Sequence, residues 1–323
     1  MAKLLCAILD DYQNVALSLA DWGSLKEQVD VISYQEHFAS DAALLEAIKD
    51  CEILVIMRER TLFNADLLAR LPKLKLLITS GMRNAAIDLP AAQSHGIVVC
   101  GTKSLSEPPV ELTWSLILGL MRKIVPESTA LQNNGPWQNS LGVGLSGKQL
   151  GIIGLGKIGS KVAKIAHAFG MSVVAWSQNL TQERAAAEGV KLASSKEELL
   201  RSSDVVSIHL VLSERTRNLI KAENLKQMKP SAYLINTSRA SIVDQQALIM
   251  ALEHKLIAGA GLDVFDIEPL PSTHPYRQLE NVLATPHLGY VTVENYQIYF
   301  QEAVEDIRAY LAGQSVRELS LSS

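Results

Sequence analysis

Ten residues constrain this chain more than any other stretch: Leu150-Gly151-Ile152-Ile153-Gly154-Leu155-Gly156-Lys157-Ile158-Gly159. An apolar run of strand length enters a G-x-G-x-x-G turn. A helical run leaves it, with Val162, Ile165, Ala166 and Phe169 on one face. Gly154 permits the tight turn, Gly156 lets a phosphate approach the backbone, and Gly159 lets helix and strand pack closely. The helix N-terminus then offers free N–H groups and a positive dipole end to a pyrophosphate. Alone, such a turn is compatible with a structural bend; between this strand and this helix it points to a dinucleotide.

Alternation of strand and helix extends on both sides of the turn. Apolar runs at Leu4–Leu9, Val29–Tyr34, Ile53–Met57, Leu74–Thr79 and Ile97–Cys100 have the length of buried strands. Between them Asp41–Lys49 is amphipathic, with Asp41 placed to cap it. A second series runs through Leu150–Gly154, Ser172–Trp176, Asp204–His209, Ala232–Asn236, Ile257–Leu262 and Asn281–Ala284. Gly170 is placed to end the helix that begins near Gly159, and Ser195 with Glu198 has capping-box spacing. The expected fold class is α/β, with two doubly wound parallel-sheet domains, which suits 323 residues. Glu111–Lys123 is apolar almost all round and needs cover on every side, which suggests a subunit interface or a wedge between domains.

Composition narrows the function classes. The net charge is −4 with the signs interspersed, so nothing invites nucleic acid or an anionic membrane. The longest nearly apolar stretch, Leu112 to Met121, is too short to span a bilayer, and the run from Met1 to Leu9 reads as a first strand rather than a signal peptide. A cytoplasmic protein is expected. Cys6, Cys51 and Cys100 show neither CxxC spacing nor a disulfide framework and read as buried thiols. The seven histidines are scattered, and no metal site is expected.

Three segments of the second series end strands of one sheet and carry chemistry. Arg239 follows Leu234–Asn236, Asp263 ends Gly261–Leu262 with Glu268 in the loop beyond, and His287 follows Val282–Ala284. Hydride removal from a secondary alcohol needs a base for the hydroxyl proton, and histidine titrates in the right range. A carboxylate orients such a ring and favours its protonated form. A guanidinium grips a carboxylate through two parallel hydrogen bonds. Each residue alone is ordinary; their joint placement beyond the glycine turn is not.

At this point the chain resembles the D-isomer-specific 2-hydroxyacid dehydrogenases over essentially its whole length. The matching text is GLGKIG at 154–159, NTSRA at 236–240, LDVFDIEP at 262–269 and TPHLG at 285–289, with Arg, Glu and His in the family's order and spacing. The resemblance implies that Arg239 binds the substrate carboxylate and polarises the carbonyl, Glu268 supports His287, and His287 is the general acid/base. It further implies that Asp263 holds the nicotinamide side, while Gly154, Gly156, Lys157, Ile158, Gly159, Thr237 and Ser238 line the dinucleotide. Ser80, Gly81 and Met82 look like the family's substrate loop, and Arg58 like a residue facing the cleft between domains. A Rossmann domain at 103–289 would be inserted into a flavodoxin-like substrate domain at 1–102 and 290–323. The expected activity is hydride transfer between NAD or NADP and a small 2-keto or D-2-hydroxy acid, in a homodimer. The alternative is a non-catalytic, dinucleotide-sensing binding protein of the same fold. Two departures stand out. Ser177 occupies the position where an acid usually grips the ribose, which leaves NAD and NADP both open, and Tyr290 replaces a common glycine.

Overall fold

The apolar runs of the first hundred residues form a five-stranded sheet in the computed structural model, which describes residues 3–320. Met1, Ala2 and residues 321–323, assigned above to the substrate domain, lie outside the described residues. The chain divides into two compact units, Met1–Leu105 with Val291–Ser323 and Ser106–Tyr290.

In the first unit the order along the chain is β1 (Leu4–Ile8), β2 (Val29–Ser33), α1 (Asp41–Ile48), β3 (Ile53–Ile56), α2 (Ala65–Ala69), β4 (Leu76–Thr79), α3 (Leu89–Ser94) and β5 (Val98–Gly101). The sheet order is β2-β1-β3-β4-β5 with every pair parallel. Helices on both faces bury β3 and β4 completely, which is why these strands read as unbroken apolar runs. The cap of α1 differs from expectation. Ser40 accepts from the Ala43 N–H, and Asp41 sits one residue inside, where its charge favours the helix dipole. The C-terminal helix, Val293–Leu311, packs Tyr299, Phe300, Ala303 and Ile307 into this unit. Its Asn295 and Glu302 side chains accept the N–H groups of Leu105 and Lys103.

The second unit contains α4 (Glu107–Met121), α5 (Ile124–Gln132), β6 (Gln149–Ile153), α6 (Lys157–Ala168), β7 (Ser172–Trp176), α7 (Gln182–Ala187) and β8 (Lys191–Leu192). It continues through α8 (Lys196–Ser202), β9 (Val205–Ile208), α9 (Ala222–Leu225), β10 (Tyr233–Asn236), α10 (Gln245–Glu253), β11 (Gly259–Leu262) and β12 (Val282–Ala284). The parallel sheet runs β12-β11-β10-β9-β6-β7-β8. Two all-parallel sheets meet the expected fold class. The extra strand β8 pairs only Lys191 and Leu192 with Val174 and Ala175, too short a run to leave a pattern.

Local signals resolve in detail here. Gly170, at φ 72°, ends α6, which starts at Lys157, two residues before Gly159. Ser195 caps α8, but the Glu198 carboxylate reaches back to Ser194 and not to the capping residue itself. Helix α4 begins four residues earlier than expected because Pro108 and Pro109 fit its first turn. Its apolar side is covered within the unit: Val110, Trp114, Leu116, Ile117, Leu120 and Met121 share a core with Leu150, Ile152 and Ile235. That cover removes the reason to place a subunit interface on this helix.

His209 follows β9, and its Nε2 meets the Ser207 hydroxyl at 2.8 Å. Burial pushes its imidazole down to about 4 from an ordinary 6.5. The unfolded chain therefore binds the extra proton between those values, so stability present above pH 6.5 is lost as pH falls toward 4. The loss is of order 1 kcal/mol, because solvent at the partly exposed ring screens the effect. Thermal unfolding from pH 7.5 to 4.5 should show a shallower acid slope for His209→Gln than for the wild type. Equal slopes would contradict the assignment.

Candidate active site

The glycine turn lies where the second sheet reverses its winding, because β6 pairs with β7 on one side and β9 on the other. Gly154 adopts φ 102°, donates its N–H to the Trp176 carbonyl at 2.9 Å, and leaves no room for a Cβ, which would stand 2.5 Å from the His209 carbonyl oxygen. A Cβ on Gly159 would stand 2.2 Å from the Gly154 carbonyl oxygen, so the helix rests directly on the turn. At Gly156 a Cβ would meet nothing within 4 Å. This open space adjoins the first-turn N–H groups of Lys157, Ile158 and Gly159, which have no intrahelical acceptor. Such a cradle fits a pyrophosphate. Ser177 follows β7 directly, with Gln178 and Asn179 exposed beyond it.

Register aligns the remaining candidates of this unit. Asn236, Leu262 and Ala284 lie level across β10, β11 and β12. Parallel strands end on one edge, so Asp263 is one residue past that level, and Arg239 and His287 are each three past it. The stems of β10 and β12 are about 10 Å apart across two strand spacings. The His287 Nδ1 and the Glu268 Oε2 lie 2.7 Å apart, and the other carboxylate oxygen accepts the Phe265 N–H at 2.9 Å. Both residues are partly buried, which strengthens a charged hydrogen bond between them. The Tyr290 ring packs edge-on against the imidazole, with centroids 5.5 Å apart. Arg239 donates through Nη1 to the Ser238 carbonyl at 2.7 Å, while Asn236 Nδ2 holds the Arg239 carbonyl. Ser238 is tied to the Ile208 carbonyl, and the Thr237 hydroxyl to that of Thr113.

Asp263 is 1% exposed, and its two oxygens accept from the Thr285 hydroxyl and from the N–H groups of Leu288 and Gly289, at 2.6–2.8 Å. Burial pushes this carboxyl above the usual range, opposed by the Thr285 hydroxyl, by the nearby His287 and by the two amides. The aspartate staples the loop that presents His287, a positioning task that spacing alone did not disclose.

In the first unit, the loop after β4 has an inner architecture of its own. Ser80 sends its N–H to the Ile56 carbonyl, and the Gly81 N–H goes to the Thr102 hydroxyl at 3.0 Å. Both amides are thus engaged within the unit, whereas the Met82 N–H has no acceptor among the described residues. Arg58, after β3, donates its backbone N–H to Ser80 Oγ, and its guanidinium lies where a side chain on Gly81 would be, 2.1 Å from an ideal Cβ. Asn84 ties the Arg58 carbonyl to Thr79. Sequence reasoning missed Asn84 and Thr102; the only signal was their place just past strand ends.

A glycine turn on a parallel sheet, with an imidazole and a carboxylate paired on the same edge, has the form of a dinucleotide-binding domain. Residues 114–289, more than half of the chain, match the model of the D-isomer specific 2-hydroxyacid dehydrogenase, NAD binding domain. The chain is 40% identical to the glyoxylate reductase of Aeropyrum pernix over 77% of each protein. It is 37% identical to the D-3-phosphoglycerate dehydrogenase of Methanocaldococcus jannaschii over 84% of this chain, and spans about half (52%) of that relative. The solved phosphoglycerate oxidoreductase of Vibrio cholerae O395 superposes with a TM-score of 0.90 at 38% identity, covering 97% of this chain and all of that one. The chain belongs to the D-isomer specific 2-hydroxyacid dehydrogenase family.

The glycines yield a paired expectation. Gly156→Ala should fold with an unchanged Tm and lose reduced-coenzyme affinity by about 10-fold or more, because its methyl enters the open cradle. Gly159→Ala should lower Tm as well, since its methyl meets backbone. Coenzyme titration by nicotinamide fluorescence with parallel calorimetry separates the two. A stable Gly156→Ala variant with full affinity would empty the cradle of meaning.

Proposed function

We propose that this protein is an NAD(P)H-dependent reductase of small 2-keto acids, acting also as the D-2-hydroxy acid dehydrogenase in reverse. The 2.7 Å contact between His287 Nδ1 and Glu268 carries this reading. With Nδ1 occupied by the carboxylate, Nε2 is the imidazole atom available to give or take a proton. In reduction, Nε2–H protonates the alkoxide as it forms, and Glu268 steadies the imidazolium before that transfer. Arg239 grips the substrate carboxylate and stabilises negative charge growing on the carbonyl oxygen. When bound at the glycine turn, the reduced nicotinamide supplies the hydride. Thr237 and Ser238 stand beside the dinucleotide, and Asp263 holds the His287 loop against it. Met82 N–H and Arg58 are the substrate-binding groups we assign to the first unit, with Ser80 and Gly81 shaping their loop.

Names of relatives support small substrates: two of the proteins above are a glyoxylate reductase and a D-3-phosphoglycerate dehydrogenase. A second copy of the chain is the partner we assign. Its support is the stretch after α4, where α5 buries no residue and Trp137 and Leu141 are 79% and 95% exposed. A cytoplasmic location agrees with three buried free thiols. Among the described residues no helix is long and apolar enough to cross a membrane.

Oxidation of NADPH or NADH followed at 340 nm with glyoxylate, hydroxypyruvate and pyruvate tests the activity; no turnover with any pair would refute it. Arg239→Ala should lower kcat/KM for the keto acid about 100-fold or more while changing coenzyme affinity little. A large loss of coenzyme binding with intact turnover would contradict the role. Glu268→Gln should lower kcat/KM for reduction about 10-fold or more with coenzyme affinity unchanged, because the imidazole loses the carboxylate that orients it. Full turnover in that variant would remove Glu268 from the proton path.

A further inference from the structure

A cavity of about 480 Å³ opens between the glycine turn, α6 and α7, lined among others by Gly156, Lys157, Lys161, Lys164, Arg184 and Glu188. Four cations face one carboxylate. Lys161 is spoken for by Glu107 and the Ser106 hydroxyl. Lys157, Lys164 and Arg184 are exposed, and their side chains have no hydrogen-bond or ion-pair partner among the described residues. Three cations without a side-chain partner thus line one hollow beside Glu188, and an anion bound there would relieve their mutual repulsion.

The hollow shares Gly156 and Lys157 with the glycine turn, and that turn is bonded to the strand end after which the ribose of a dinucleotide is sorted. In this fold an acid after the second strand of the sheet's first βαβ unit takes the 2′-hydroxyl and repels a 2′-phosphate, whereas a nearby arginine accommodates the phosphate. Here that strand is β7, held against the turn by the Gly154 N–H on the Trp176 carbonyl. Beyond it come Ser177, Gln178 and Asn179, which hold no carboxylate. The next acid along the chain, Glu183, is held low by its own backbone N–H and by Thr181 at the start of α7, so it is turned to its helix. Arg184 looked a turn too far from Ser177 in the sequence. Helix α7 brings it to the wall of the same cavity as Lys157, the first residue of α6.

We propose that this cavity selects the 2′-phosphorylated coenzyme, NADP(H) over NAD(H), with Arg184 and Lys157 as the specificity-determining pair. Arg184 supplies a planar fork for two phosphate oxygens, and Lys157 supplies a point charge beside the helix N-terminus. Lys164 adds to the field at the rim, and Glu188 is the one opposing charge. The inference rests on the dinucleotide reading above but asks a separate question of it.

Titrating the full-length protein with NADPH and with NADH, without keto acid and by nicotinamide fluorescence, measures the preference directly. NADPH should bind at least about 10-fold more tightly, and 2′,5′-ADP should displace it at far lower concentration than 5′-AMP. Raising the salt concentration should narrow the gap, since exposed charges are screened. Arg184→Ala and Lys157→Ala should each cut the NADPH-to-NADH affinity ratio several-fold, with an unchanged Tm. NADH binding as tightly as NADPH, or a ratio untouched by both variants, would overturn the inference alone. Binding of neither coenzyme would overturn it together with the reading it rests on.

Discussion

Parallel pairing is the constraint from which this site follows. When every strand of a sheet runs the same way, every strand ends on the same edge, and residues scattered over the chain become neighbours without any long-range design beyond register. Asn236, Leu262 and Ala284 are level, so Arg239, Asp263, Glu268 and His287 leave the sheet together. The same rule puts the glycine turn on that edge, since β6 belongs to the same sheet. What the constraint does not supply is aim. A strand end brings a residue to the edge; loops decide where its side chain points.

Aim is supplied by buried polar groups. Asp263 lies almost wholly out of water, a costly place for a carboxylate unless its lone pairs are met. Three donors from 285–289 meet them, so the aspartate and the His287 loop each satisfy what the other would leave unpaired. Removing either partner leaves a buried group bare, and such an arrangement tolerates little change. Glu268 extends the same logic one step outward: one oxygen is anchored on the Phe265 N–H and the other is left to the imidazole.

The fold was legible because burial on both sides writes long apolar runs, and the glycine turn because each glycine answers a separate steric demand. Candidate residues were legible for a related reason: chemistry sits just past strand ends. Features depending on neighbours distant in sequence were not. An apolar helix such as α4 announces that it needs cover but not what covers it, and here the cover is its own domain. The text Ser80-Gly81-Met82 suggests free amides, but Thr102 and Ile56 consume two of them. A two-residue edge strand such as β8 has no period to detect. Arg184 could not be set beside Lys157 until α7 was packed.

Backbone conformation adds a further step. Asp10, Arg58 and His287 each follow a strand by two or three residues, and each adopts a left-handed φ, at 59°, 50° and 54°. A side chain in that region costs of order 1 kcal/mol or more, so each must be held. Asp10 is held by His37 and Thr61. Arg58 is held by Ser80 on its N–H and Asn84 on its carbonyl. His287 is held by Glu268, by the Thr285 carbonyl on its N–H, and by the Asp263 staple on either side of it. A turn of ordinary handedness would need none of this support. The recurrence of strained residues with dedicated hydrogen bonds after β1, β3 and β12 marks the carboxyl edges of both sheets as places where side-chain direction, not chain reversal, is what the backbone is built to deliver.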